Sequence, residues 1–152
     1  MRILISNDDG INAGGLRALV EIMAGYGDVT VVAPKYHQSA MSMAVSLGKR
    51  KLAYKAMPEK YPGSWHYLDA TPASCVKFGL EYFYENRNPD LVVTGINHGS
   101  NAAVNVIYSG TMGAVYVGAE YGIPAIGFSI DDHRMDADLS FFQPFILPIT
   151  QT

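Results

Sequence analysis

The residues best suited to chemistry are two adjacent carboxylates, Asp8 and Asp9, set between Asn7 and Gly10 just after the run Arg2-Ile3-Leu4-Ile5. Apolar residues without polar alternation predict a parallel strand buried on both faces. In open α/β sheets, ligands bind in the crevice beyond the C-terminal ends of such strands. Two carboxylates side by side repel each other and gain nothing from an apolar core. A cation is the natural reason for the pair, and a hard divalent ion is the simplest one. Asn-Asp-Asp-Gly is also good turn composition, so on the pair alone a solvated turn stays open.

Other strand ends carry matching chemistry. A second strand, Asp28 to Pro34, leads into Tyr36-His37-Gln38-Ser39, and a strand over 89–94 opens into Gly95-Ile96-Asn97-His98-Gly99-Ser100-Asn101. On a parallel sheet these loops open on one edge, where their side chains can converge. Carboxylate, amide and hydroxyl oxygens suit Mg²⁺, Mn²⁺ or Ca²⁺ rather than zinc. One cysteine and four scattered histidines offer no tetrahedral zinc set. The stretch Tyr108-Ser109-Gly110-Thr111-Met112-Gly113 precedes a helix with Ser109 as N-cap, and its small residues let backbone N–H groups approach an anion. Ordinary capping and close helix packing explain this stretch equally well. A cation site and an anion site on one sheet edge together suggest a phosphate ester. Neither G-x-G-x-x-G after the first strand nor G-x-x-x-x-G-K-[ST] is present, which points to hydrolysis.

The elements that must position these residues alternate in type. Leu16, Leu19, Val20 and Met23 recur at helical spacing, with Gly25 and Gly27 ending that helix. Trp65 to Asp69 reads as a short strand. Thr71-Pro72 is an N-cap followed by proline at the first helical position, opening a helix to about Tyr84. Ser109 to Tyr121 is helical in pattern, Ile123 to Ser129 is a strand, and Asp138 to Ile149 is a last amphipathic stretch. The segment 35–64 is less regular. Its Lys49, Arg50, Lys51, Lys55 and Lys60, among Tyr54, Tyr61 and Trp65, read as a solvated, β-rich excursion more than a nucleic-acid face. Strands alternating with helices imply βαβ units in an α/β, three-layer, doubly wound and mostly parallel sheet of Rossmann-like type.

Composition narrows the class. The 152 residues suffice for one domain, 1–152, with no linker or repeat to divide it. A 49% hydrophobic and 16% charged chain fits a packed core rather than disorder. A net charge of −3 offers no basic field, so no nucleic-acid duplex is expected as partner. The lone Cys75 rules out an internal disulfide and suits a reducing compartment. Met1 runs straight into a strand, and Glu120 and Pro124 interrupt the long apolar stretch 110–130. No signal peptide and no membrane span are expected, and the location expected is cytoplasmic.

Asn7-Asp8-Asp9-Gly10, Gln38-Ser39, Thr94 to Asn101 and Tyr108-Ser109-Gly110-Thr111, in that order, resemble the SurE family of survival proteins, metal-dependent 5′/3′-nucleotidases. The resemblance runs from Met1 to about Phe145. It implies a SurE-like fold and metal-dependent hydrolysis of nucleoside monophosphates, with Asp8 and Asp9 as catalytic residues and a metal-bound water as nucleophile. Asp8, Asp9, Ser39 and Asn97 would hold the divalent ion, Mg²⁺ or Mn²⁺ (or Ca²⁺ in crystals). Ser109, Gly110 and Thr111, with Asn101 nearby, would cradle the phosphate; Tyr108, read on its own, suits stacking on a nucleobase or simple packing. The chain departs from the family pattern at Lys35, Ala40, Ser74 and Val117-Gly118, none a proposed ligand; these bear on rate and substrate preference. Members normally continue into a C-terminal region that aids oligomerisation, so this chain is expected to lack that region and to form a homo-oligomer, a dimer or tetramer.

Rival readings are a catalytically impaired nucleotide- or metal-binding relative and a receiver-type signalling domain. The receiver would need an aspartate where Thr94 stands and a lysine near Phe128-Ser129, and neither is there. His98 and Cys75 are expected to be a backbone-bonded loop histidine and a core thiol. His37 should face solvent, His66 and His133 should be incidental, and Asp131-Asp132 reads as a helix-approach loop more than as a second carboxylate pair at the active edge. At the end, Phe141, Phe142, Phe145, Ile146, Leu147 and Ile149 crowd apolar side chains around Pro144 and Pro148, which should prevent one long helix from burying them all. Burial of one such side chain is worth roughly 1.5–3 kcal/mol, so a second subunit or a missing segment is expected to cover this tail.

Overall fold

Hydrophobic residues that alternate between the faces of one sheet explain the architecture. In β1 (Arg2–Ser6), Ile3 and Ile5 enter one core while Leu4 enters the other. The computed structural model describes residues 1–46, 51–58, 61–85, 87–134 and 137–150, the last four of these as backbone. The other strands are β2 (Asp28–Pro34), β3 (Tyr54–Ala56), β4 (Ser64–Leu68), β5 (Leu91–His98) and β6 (Ala125–Ile130). They form one six-stranded sheet of order β3-β4-β2-β1-β5-β6. Only β3 runs antiparallel to its neighbour. Helix α1 (Gly14–Met23), with Phe142 and Ile146, covers one face; α2 (Pro72–Phe83) and α4 (Gly110–Glu120) cover the other. This is the three-layer, mostly parallel α/β arrangement expected. A one-turn helix, α3 (Asn105–Tyr108), was not legible in the sequence pattern.

Capping follows the sequence. Thr71 accepts the Ser74 N–H and Ser109 accepts the Met112 N–H, opening α2 and α4 as expected. One boundary is corrected. The strand over 89–94 was expected to open into a loop at Gly95, but β5 continues to His98. The cause is its neighbour. Strand β6 pairs Thr94 with Gly127, then Asn97 with Ser129 and His98 with Ile130, across a bulge. Gly95 adopts φ +118°, and a Cβ there would stand 2.3 Å from the Phe128 carbonyl oxygen. Asn97 is thereby fixed in a strand rather than carried on a loop.

The tail also differs from expectation. A 3₁₀ turn (Ser140–Phe142) leads into α5 (Gln143–Thr150), which carries both prolines yet is only 8 residues long. Phe142 and Ile146 are buried against the α1 face, whereas Phe141 and Phe145 are 46% and 62% exposed. The side chains of Leu147 and Ile149 lie outside the described residues, as do Lys49, Arg50 and Lys60; Lys51 and Lys55 are exposed. Among the described residues, no helix is long and apolar enough to cross a membrane.

Candidate active site

Asp8 and Asp9 sit where β1 ends, next to the ends of β2 and β5. Asp8 is 3% exposed. Its backbone carbonyl accepts the Gln38 N–H at 2.7 Å, which ties the loop after β2 to the end of β1. Its Oδ1 accepts the Thr111 hydroxyl at 2.7 Å. Burial pushes the Asp8 carboxyl above its ordinary range and the Asp9 charge adds to the rise, while the Thr111 hydrogen bond offsets part of it. Asp8 also lies at the N-terminus of α4, where the helix dipole favours negative charge. Gly110 makes that approach possible, because a Cβ there would meet Asp8 Cβ at 2.9 Å and the Gln38 carbonyl oxygen at 3.2 Å.

Asp9 is held between two histidines. His37 Nδ1 stands 3.2 Å from Asp9 Oδ1, and the His98 backbone N–H donates to Oδ2 at 3.4 Å. The His98 ring, 2% exposed, lies with Nδ1 at 3.8 Å from Oδ2, and neither of its buried ring nitrogens has a hydrogen-bond partner. The backbone-bonded loop histidine expected at this position is therefore a buried strand residue under a carboxylate. His37 is open to solvent as expected, but its Nε2 also contacts Ser39 Oγ at 2.6 Å. Sequence reasoning missed that role. The available signal was spacing, since a histidine and a serine two residues apart in an extended loop can face the same way.

Asp8, Ser39, Asn97, His98, Asn101, Tyr108 and Ser109 line one cleft of about 400 Å³, together with Asp131 and with His133, which was expected to be incidental. A larger groove of about 560 Å³ between α1 and residues 137–143 gathers no comparable chemistry. Asn97 spends its Nδ2 on the Gly99 carbonyl, leaving its amide oxygen as a donor to a cation. The Ser109 hydroxyl accepts the Met112 N–H and keeps its own proton to donate. Thr111 departs in part from the expectation of phosphate binding: it is fully buried and its hydroxyl is committed to Asp8, so only its backbone N–H remains for an anion. Asn101 half-faces the cleft and donates to Ser129 Oγ at 2.6 Å. Asp132 is held by Arg134 in the loop after β6, and its carboxyl is lowered to about 2 by those hydrogen bonds.

The donor set fits a hard cation. It consists of two carboxylates desolvated together and the neutral oxygens of Ser39 and Asn97. Among the described residues, no three His, Cys, Asp or Glu side chains cluster as a metal site by themselves, so the neutral oxygens are needed to complete one.

The sequence profile of the family described as "Survival protein SurE" matches residues 3–151. The chain belongs to the SurE family. The protein of Cytophaga hutchinsonii named 5'-nucleotidase SurE is 46% identical over 148 residues, covering 97% of this chain and 56% of that protein. A protein of the same name from Christiangramia forsetii is 46% identical over 150 residues, 98% of this chain and 57% of its own length. The crystal structure of the SurE protein from Aquifex aeolicus superposes with a TM-score of 0.87 at 31% identity, over 99% of this chain and 59% of that one. This SurE chain thus spans a little over half the length of the curated relatives it matches.

Departures from the SurE pattern acquire structural meaning. Lys35 does not line the cleft; its ammonium lies over the rings of Tyr36 and Tyr67, 4.8 and 5.6 Å from their centroids. Ala40 sits at φ +58°, a left-handed conformation that disfavours any side chain. Ser74 hydrogen-bonds the Ser46 N–H and the Thr71 hydroxyl, tying residue 46 to the start of α2.

Proposed function

We propose that this chain carries the active site of a divalent-metal-dependent phosphomonoesterase acting on nucleoside monophosphates. The observation supporting this most is the meeting, in one cleft, of Asp8, Ser39 and Asn97 with Ser109 at the N-terminus of α4, and with Asp9 beside it. The curated relatives' name, 5'-nucleotidase SurE, supports the reaction class and the substrate. Asp8, Asp9, Ser39 and Asn97 would hold the cation. When bound, it supplies charge neutralisation for the phosphoryl group and lowers the pKa of water.

The chain's own residues do the rest. The Ser109 hydroxyl and the backbone N–H groups of Gly110 and Thr111 bind phosphate oxygens at a helix terminus built to receive an anion. The Thr111 hydroxyl keeps Asp8 in one rotamer. Asn101, half-buried on the cleft wall, offers an amide to the substrate, and exposed Tyr108 on the rim presents a ring face to the base. The exposed Phe141 and Phe145 support self-association, a dimer or larger species by light scattering. Inorganic phosphate should inhibit competitively. A phosphorylated side chain trapped during turnover would rule out direct attack by water.

A further inference from the structure

His37 belongs to neither the cation set nor the phosphate cradle, yet it touches two of the proposed cation ligands. Its Nδ1 is 3.2 Å from Asp9 Oδ1 and its Nε2 is 2.6 Å from Ser39 Oγ. We propose that His37 is a positioning residue that sets how Asp9 and Ser39 face a bound divalent cation, an inference that rests on the cation reading above.

The argument is one of hydrogen-bond direction. Nδ1 approaches Asp9 Oδ1 at 3.2 Å, and a carboxylate, which can only accept, favours the ring proton on that nitrogen. A neutral ring then carries its lone pair on Nε2 and accepts the Ser39 proton. The relay runs from the Ser39 O–H to Nε2, with the protonated Nδ1 facing Asp9 Oδ1 across the ring. Its consequence falls on Ser39. A hydroxyl whose proton is turned into the ring presents its lone pairs away from it, as a neutral ligand to a cation must. A freely rotating hydroxyl on an exposed loop has no such preference.

The second oxygen of Asp9 is fixed independently by the His98 backbone N–H. The carboxylate is therefore held from both sides, and of the two histidines only His37 reaches Ser39. Direct coordination by His37 would require giving up one of its two contacts. Holding ligands from behind requires neither, which is how outer partners orient the ligands of metal sites.

The test titrates Mn²⁺ alone into the metal-stripped full chain by calorimetry, with no substrate present, for the wild type and for His37→Ala, His37→Asn and His37→Gln. Asn keeps a donor in the place of Nδ1, and Gln keeps a polar atom in the place of Nε2. Loss of an outer partner costs about 10–100-fold in metal affinity. His37→Ala should therefore bind Mn²⁺ at least about tenfold more weakly, with the two amide variants in between. Wild-type affinity in all three variants would overturn the positioning role while leaving the cation reading intact. No Mn²⁺ binding by the wild type would overturn both. Nitrogen-15 spectra of the wild-type ring add a check independent of mutant folding. At mildly alkaline pH the proton should reside on Nδ1, and residence on Nε2 would contradict the relay.

Discussion

Two edges of the sheet each pair a histidine with a hydroxyl and use them differently. At the outer edge, His66 is buried, accepts the Tyr54 hydroxyl on Nδ1 at 3.0 Å, and packs 4.3 Å from the Phe83 ring centroid. Tyr54 in turn touches Phe78 and Tyr82. Burial there keeps the imidazole neutral, pushing its pKa below the usual 6.5. At the inner edge, His37 stands open to solvent between a carboxylate and a serine. Beside it, Asp8 is buried with its carboxyl raised and, among the described residues, no basic side chain hydrogen-bonded to it. The outer cluster is locally satisfied and so can only stabilise. The inner one keeps desolvated charge in place, giving up stability for something still to bind.

The sharpest way to break this contrast is Asp8→Asn. Phosphate release should fall on the order of 10²-fold or more, because the remaining carboxylate cannot neutralise a cation alone. The same change should raise the melting temperature of the metal-free protein near neutral pH. A carboxyl with a raised folded pKa costs stability once pH exceeds its unfolded value of 3.8. If metal-free Asp8→Asn melts lower than the wild type, Asp8 is a structural residue and the contrast fails.

Thr111→Val strips the hydroxyl from a buried pair and leaves Asp8 Oδ1 without its donor. A stability loss of about 1–3 kcal/mol by denaturant titration is expected, together with reduced kcat. Tyr54→Phe makes the parallel deletion at the outer edge, where the ring stays and only the hydroxyl goes. It should cost about 0.5–1.5 kcal/mol and leave phosphate release unchanged. The smallest effect is one of pH. His66 stays neutral when folded but takes up a proton when unfolded below 6.5, so its stabilisation is complete above that pH and is lost as pH falls below it. In His66→Phe, the decline of stability with acidification from 6.5 downward should be shallower than in the wild type.

What the sequence made legible follows the same division. Strands buried on both faces, such as Leu4 between Ile3 and Ile5, announce themselves without knowledge of their neighbours. So do the Thr71 and Ser109 caps, because capping is local. The course of β5 past Gly95 was hidden, since the bulge exists only because β6 keeps pairing beyond it. At the site, Asp8, Ser39, Asn97 and Ser109, singled out by the ordered motifs of the family resemblance, share one cleft. Asp9 lies beside it, within reach of His37 and His98. Thr111 shows where such reasoning stops. The family resemblance suggested a phosphate ligand, whereas the Thr111 hydroxyl is turned to Asp8, just past the end of β1. His37 and His66 were both dismissed for the same reason: a histidine's role depends on partners that no local pattern names.

The most direct test is phosphate release from nucleoside monophosphates by the full chain, stripped of metal and then titrated with Mn²⁺. The account predicts no release from the stripped protein and a saturable return of activity as Mn²⁺ is added. Equal turnover with and without the metal would contradict it.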